Sequence, residues 1–250
     1  MSLLPENGVG ICTYNRSHQL GALIEAVMNT TKETRIVVAD DGSTDDTPYI
    51  ASQFKQVLYV RGPNKGVAHN KNRALFALQY CRFITLLEDD LFPTKPGWLE
   101  TYKDAAVLSG IHHFCRVQDK EVDETLPDFA QWLTTEKSLT PIYGPSPRGD
   151  LTFVTSRVLK VVGGLNPEFI GVGFAHGEWS NRIFNAGLIP HPNKWVDIRE
   201  ARDMFEQRGD TSGGRWQENQ ARIKDQLKRN RAVQRRLKAS RYTFCPLELQ

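Results

Sequence analysis

Nothing in this chain approaches the run of about eighteen apolar residues that a bilayer-spanning helix requires, so no transmembrane segment is predicted. The cysteines Cys12, Cys81, Cys115 and Cys245 are scattered, without the paired spacing of a zinc site or a disulfide framework. Cys12 and Cys81 sit among apolar neighbours and read as core thiols of a reduced, cytosolic protein. Residues 1–10 show no basic stretch leading into an apolar one, and no secretory leader is expected. Internal repeats and low-complexity tracts are absent too. A dinucleotide-binding chain would place a glycine-rich turn after its first strand; here that turn is Thr13-Tyr14-Asn15-Arg16.

What is present suffices for a full core: 250 residues, 40% of them hydrophobic. The net charge of +3 conceals an uneven distribution. Residues 215–241 hold Arg215, Arg222, Lys224, Lys228, Arg229, Arg231, Arg235, Arg236, Lys238 and Arg241 against only Glu218 and Asp225. With Ile223, Leu227, Val233 and Leu237 as its sparse apolar positions, this stretch predicts a helix packed by one edge with its charges outward. Peripheral contact with an anionic membrane is a second reading of the same charges, and contact with nucleic acid or an acidic glycan a less favoured third.

The most informative local feature is Phe83-Ile84-Thr85-Leu86-Leu87 running into Glu88, Asp89 and Asp90. Three adjoining anions repel one another unless a cation sits among them. Residues 36–45 repeat the device, with Ile36-Val37-Val38-Ala39 leading into Asp40, Asp41, Gly42, Ser43, Thr44 and Asp45. Acid-rich turns and helix caps account for such residues in many proteins. Two acid-loaded strand ends nevertheless suggest one polar cleft at the C-terminal edge of an open α/β sheet. A hard divalent ion bridging carboxylates to a diphosphate would explain both.

Strands are expected at 9–13, 35–39, 57–60 and 83–87, and helices at 19–28, after Thr47 and at 67–80. That alternation is the pattern of a parallel, doubly wound sheet. A helix over 97–107, strand-like order at 150–154 and a helix at 156–162 follow. Residues 116–149, rich in proline and charge, form either a wrap for the open side of the cleft or a surface excursion. A third constellation runs from Gly163-Gly164-Leu165-Asn166 through Gly171, Gly173, His176, Gly177 and Glu178 to Arg182. The spacing of Glu178 and Arg182 suits a helix salt bridge, while Glu178 or His176 could also serve as a base beside the cleft.

The order of these motifs resembles the inverting, nucleotide-sugar-dependent glycosyltransferases of family 2, which have the GT-A fold. The matching pieces are Cys12-Thr13-Tyr14-Asn15-Arg16, Val38 through Asp45, Asn64-Lys65-Gly66-Val67-Ala68 leading to Lys71-Asn72, Leu87-Glu88-Asp89-Asp90, and Gly163 through Arg182. The resemblance implies a GT-A-like α/β domain over residues 1–205, with a donor-binding half at about 9–92 and an acceptor-side half at about 93–205. Its central sheet would be mainly parallel, and residues 206–250 would form a basic helical C-terminal extension.

By motif position the nucleotide-sugar would be bound by Thr13, Tyr14, Asn15, Arg16, Asp40, Asp41, Lys71, Glu88 and Asp89. Asp40 would accept a hydrogen bond from the base, as an ionised carboxylate can. Lys71 stands where such enzymes often carry arginine; it keeps the charge and loses the rigid fork. Asp90 would reach a divalent cation, Mn2+ or Mg2+, which neutralises charge on the departing diphosphate. Relatives often carry an acidic pair seven and six residues before the arginine, whereas this chain has Ala175 and His176 there. Glu178 is therefore the expected catalytic base and His176 its orienting partner or substitute, with His191 more distant. A UDP-sugar donor is favoured over GDP- or dTDP-sugars, with a carbohydrate or glycolipid acceptor in glycan or polysaccharide synthesis. The expected location is cytoplasmic, or peripheral at the inner face of the membrane. A sugar nucleotidyltransferase or other metal-dependent phosphoryl-transfer enzyme is the enzymatic rival, although the basic, glycine-rich phosphate loop expected of it is missing; a non-enzymatic basic binding module is the other.

Overall fold

The computed structural model describes residues 5–117, 139–190, 193–209, 220–240 and 243–247. His191, most of the expected cleft wrap at 116–149, and Arg215 and Arg241 of the basic stretch lie outside the described residues. β1 (Asn7–Thr13), β2 (Thr34–Asp40), β3 (Leu58–Arg61) and β4 (Phe83–Glu88) are parallel neighbours. β8 (Pro147–Thr155) runs antiparallel beside β4, and β6 (His113–Val117) antiparallel beside β8. The six-stranded sheet therefore has the order β3-β2-β1-β4-β8-β6, parallel on the side that carries both acid-tipped strands. Two small antiparallel pairs flank it: β5 (Leu91–Pro93) with β10 (Phe205–Gln207), and β7 (Pro141–Tyr143) with β9 (Val196–Ile198).

The helices are α1 (Ser17–Thr30), α2 (Thr47–Ser52), α3 (Val67–Leu78), α4 (Trp98–Ser109), α5 (Ser156–Val162), α6 (Ala175–Asn185), α7 (Arg199–Arg202) and α8 (Gln220–Ser240). None of the described helices is long and apolar enough to cross a membrane. α1 buries Leu20, Leu23, Ile24 and Val27, the stripe its periodicity predicts. α3 lies close on β1 because β1 offers it glycine: a methyl group on Gly8 would come within 2.8 Å of Leu78, and one on Gly10 within 2.8 Å of Ala74. On α8 the buried positions are Asn230 and Leu237, and most of its basic side chains are exposed.

Two buried polar pairs tie together elements that follow β4 in the chain. Arg182 on α6 donates to both oxygens of Glu178, at 2.7 and 3.1 Å, and also to the carbonyls of Val162 and Gly164 at the end of α5. Glu178 is thus the salt-bridge partner that its spacing allows, 5% exposed and fully occupied. Across the core, Tyr102 on α4 donates to Asp197 on β9 at 2.7 Å. Burial pushes the Asp197 carboxyl up to about 7, against the pull of that hydrogen bond and of the Ile198 amide.

Arg182→Met should cost about 3 to 5 kcal/mol of stability in urea titration, because it leaves a buried carboxylate uncompensated. Glu178→Gln should cost less, since Arg182 keeps its two carbonyl acceptors. Asp197 predicts a pH effect. The folded carboxyl holds its proton up to about 7, whereas the unfolded chain releases it near 3.8, so the folded state binds more protons between those values. Stability of the parent should therefore fall, relative to Asp197→Asn, as pH rises from about 4 to about 7, with the difference level above that window. A constant offset across the range would show that Asp197 does not titrate there.

Candidate functional site

The C-terminal ends of β1, β2 and β4 meet at a cavity of about 350 Å³. Its lining includes Cys12, Thr13, Tyr14 and Arg16 from the β1 end, Asp41 beyond β2, and Glu88 and Asp89 from β4. The α3 entry adds Asn64, Gly66 and Asn70, the loop before α6 adds Gly171 and Val172, and α8 closes one side with Arg222, Ile223 and Gln226. The two acid-tipped strands thus serve one cleft, as their sequence pattern predicts. Tyr14 stands at the rim, 42% exposed.

Each acid has a distinct environment. Asp40 is fully buried, and both its oxygens are engaged: Ser43 donates from N at 2.8 Å and from Oγ at 2.5 Å, and Tyr59 donates from its hydroxyl at 2.6 Å. It is not among the residues lining the cleft, and its carboxylate is held by the 40–43 turn and Tyr59. Asp41 takes the cleft position, where it accepts from the amides of Lys65 (3.1 Å) and Gly66 (2.7 Å) and from Arg73 (3.0 Å). Asn15 adopts the left-handed conformation, φ 52°, which asparagine tolerates. Its amide donates to Ser43 and its side-chain oxygen accepts from Thr44, joining the β1 and β2 turns.

Asp89 faces back toward β1. Thr13 donates to it at 2.8 Å, Gln19 donates to its carbonyl, and Arg16 stands 4.0 Å away. Burial pushes its carboxyl up to about 7, opposed by the Thr13 hydrogen bond. Glu88 pairs with Lys71 at 2.8 Å; its pKa is raised by burial against the pull of that ammonium. Lys71 is 2% exposed and also donates to the Gly149 carbonyl at 2.6 Å. Burial pulls its pKa down, but the Glu88 carboxylate more than offsets this and holds it above the ordinary value. The lysine expected to bind the nucleotide-sugar is therefore engaged with the acid cluster.

Asp90 sits just beyond the lining, beneath Gly209, with Gln207 hydrogen-bonded to its carboxylate and Asp150 nearby. Its Oδ1 is buried without a hydrogen-bond partner, and burial raises its pKa. An orphaned carboxylate oxygen beside further acids is a donor set that suits a hard divalent cation. A second set lies among the described residues, where His113, Cys115 and His176 bring ligand atoms within 4.8 Å of one another. Its nitrogen and sulfur donors suit softer ions. His113 is already hydrogen-bonded to the Phe153 carbonyl and the Ser180 hydroxyl. The oxygen set is therefore the one that fits Mn2+ or Mg2+.

His176 and Glu178 part company on α6. His176 contacts the Thr152 hydroxyl through Nε2 at 3.2 Å, and its buried Nδ1 has no partner. Burial, then the charge of Lys71, holds its pKa well below the ordinary value, so the ring is neutral. Glu178 lines a different cavity, between α6 and α8, with Arg182, Gln234 and Leu237. The sequence reading omitted Asn70, Arg73 and the α8 residues. Asn70 and Arg73 sit within the α3 motif, where a polar run on a helix facing a sheet was the available signal; Arg222 had none beyond its charge.

Known proteins share this architecture. A Pyrobaculum calidifontis mannosyltransferase solved with GDP-Man and Mn2+ is similar with a TM-score of 0.52 and 19% identity, over 73% of this chain and 52% of that one. GalNAc-T7 solved with UDP, GalNAc and Mn2+ gives a TM-score of 0.56 and 14% identity, over 71% and 40%. At such identities the likeness is one of fold. In sequence, the chondroitin synthase of Escherichia coli is 31% identical over 101 residues, which are 38% of this chain and 14% of that protein. The chain therefore spans a small part of that relative and roughly half of the similar structures. The model of glycosyl transferase family 2 matches residues 8–137, just over half of the chain, and on that match, joined to the GT-A-like sheet and its acid-lined cleft, the protein belongs to glycosyl transferase family 2.

Proposed function

We propose that the protein binds a nucleoside-diphosphate sugar in the cleft and transfers the sugar, with inversion, to an acceptor hydroxyl. The observation that carries this reading is the convergence of Thr13, Tyr14, Asp41, Glu88 and Asp89 on one cavity, with the unpartnered Asp90 oxygen beside it. The rim tyrosine offers a face for a nucleobase, and Thr13 and Asn70 offer polar edges. A UDP-sugar is the favoured donor, GDP- and dTDP-sugars being the alternatives, and a carbohydrate or glycolipid the acceptor.

Asp90, with Glu88 near it, would hold Mn2+ or Mg2+, and a bound cation supplies charge neutralisation for the diphosphate. The Lys71 ammonium opposes the burial that raises the Glu88 pKa. Arg16 and Thr13 orient Asp89. For the base, the geometry supports His176 over Glu178. A neutral imidazole with an unpartnered Nδ1 can accept the acceptor's proton, in the tautomer whose Nε2–H donates to Thr152, whereas the Glu178 carboxylate is already held by Arg182. The exposed face of α8, with Lys224, Lys228, Arg229 and Arg235, suits peripheral attachment to an anionic membrane at the cytoplasmic side.

Calorimetry with UDP, GDP and dTDP, each with and without Mn2+ or Mg2+, tests the donor reading. At least one should bind more tightly with metal, and Asp90→Asn should remove that metal dependence while leaving the urea midpoint near the parent value. Absence of binding by all three would reject the reading. Once a donor is known, His176→Gln should lower transfer about 100-fold with nucleotide affinity retained, and Glu178→Gln should transfer within a few-fold of the parent. The reverse pattern would return the base to Glu178.

A further inference from the structure

Part of the cleft wall comes from the basic helix. α8 is held against the 166–174 loop by contacts that fix its rotation. The buried Asn230 amide donates to the carbonyls of Ile170 (3.1 Å), Val172 (2.9 Å) and Gly173 (3.3 Å). Leu227 fills the space above Gly173, and Gln226 covers Gly171, where any side chain would collide with it. Arg231 lies over the Phe174 ring and Arg236 pairs with Glu168. Arg222 lies just over two turns before Asn230, about 12 Å along the axis, and this places it on the cleft wall beside Ile223 and Gln226.

The cations already in and beside the cleft are each committed to one of its acids. Lys71 is paired with Glu88, Arg73 with Asp41, and Arg16 stands beside Asp89. A nucleoside diphosphate would bring further negative charge to a site whose own cations are engaged. The β1 turn has no glycine-rich phosphate cradle. Among the described residues Arg222 makes no hydrogen bond or ion pair, and its guanidinium has the planar fork that matches phosphate oxygens.

We infer that Arg222 is a donor-binding residue whose guanidinium contacts the diphosphate, so that α8 is part of the nucleotide site and not an appendage to it. This rests on the nucleotide-sugar reading above. The other basic side chains of α8 that face solvent do not take part.

The test compares the parent, Arg222→Met, Arg222→Lys and Arg229→Met, the last being an exposed arginine of the same helix that does not line the cleft. Calorimetry would use whichever of UDP, GDP and dTDP binds the parent best, together with the matching nucleoside. Arg222→Met should weaken the diphosphate about tenfold or more while leaving nucleoside affinity and the melting temperature unchanged. Arg222→Lys should fall between, and Arg229→Met should match the parent. Equal diphosphate affinity in Arg222→Met and the parent would overturn the Arg222 role alone and leave the donor reading standing. Equal losses for nucleoside and diphosphate would also overturn it, by marking Arg222 as structural. A parent that binds none of the three nucleotides would overturn both.

Discussion

Five consecutive polar residues, His69 to Arg73, are buried on α3, and the architecture of the cleft depends on satisfying them. A buried polar group without a partner is costly, so each of these side chains has to draw another segment toward the helix. His69 contacts the Pro167 carbonyl, and Asn72 exchanges two hydrogen bonds with Leu165. Asn70 donates to the Ala39 carbonyl at the end of β2. Lys71 takes Glu88 and the Gly149 carbonyl, and Arg73 takes Asp41 and the Pro63 carbonyl. One helical run therefore ties the ends of β2, β4 and β8 to the loop that precedes α6.

That loop also touches the start of α3 directly. Gly171 exchanges backbone hydrogen bonds with Lys65 and Val67 at the start of α3, and a methyl on Gly66 would lie 2.3 Å from the Gly171 nitrogen. The contact requires glycine at position 66, which also holds a φ of +99° that other residues rarely adopt. Because α8 rests on the same loop, the position of the basic helix follows from a polar run more than a hundred residues earlier in the chain.

The parallel half was legible because each element there carries its own period and punctuation. Strands read at 9–13, 35–39 and 83–87 occur as Asn7–Thr13, Thr34–Asp40 and Phe83–Glu88, and the helix at 156–162 is Ser156–Val162. The short pairs β5–β10 and β7–β9 were not legible. Three residues give no period, and their partners lie far apart in sequence. In the site, sequence located the acids and their shared cleft, because strand ends converge in this topology. It could not say which oxygens were already occupied. Asp40 and Asp41 are neighbours of one type, yet Tyr59 and Ser43 turn the first inward while Lys65 and Gly66 hold the second at the cleft. Asn230 was the readable clue on α8, an uncharged polar residue in register with Ile223, Leu227 and Leu237.

The cleft draws its walls from both early and late sequence: Cys12 through Asp89 on one side, Arg222 through Gln226 on the other. A chain emerging from the ribosome N-terminus first completes the acid-bearing strands long before α8 exists. Throughout that interval the carboxylates face water with only Lys71, Arg73 and Arg16 to offset them, and the last wall arrives after every other part of the sheet has been synthesised. On the nucleotide-sugar reading proposed above, affinity is thereby coupled to the synthesis of α8, and a nascent copy that folds its sheet before that helix exists still lacks the Arg222–Gln226 part of its pocket.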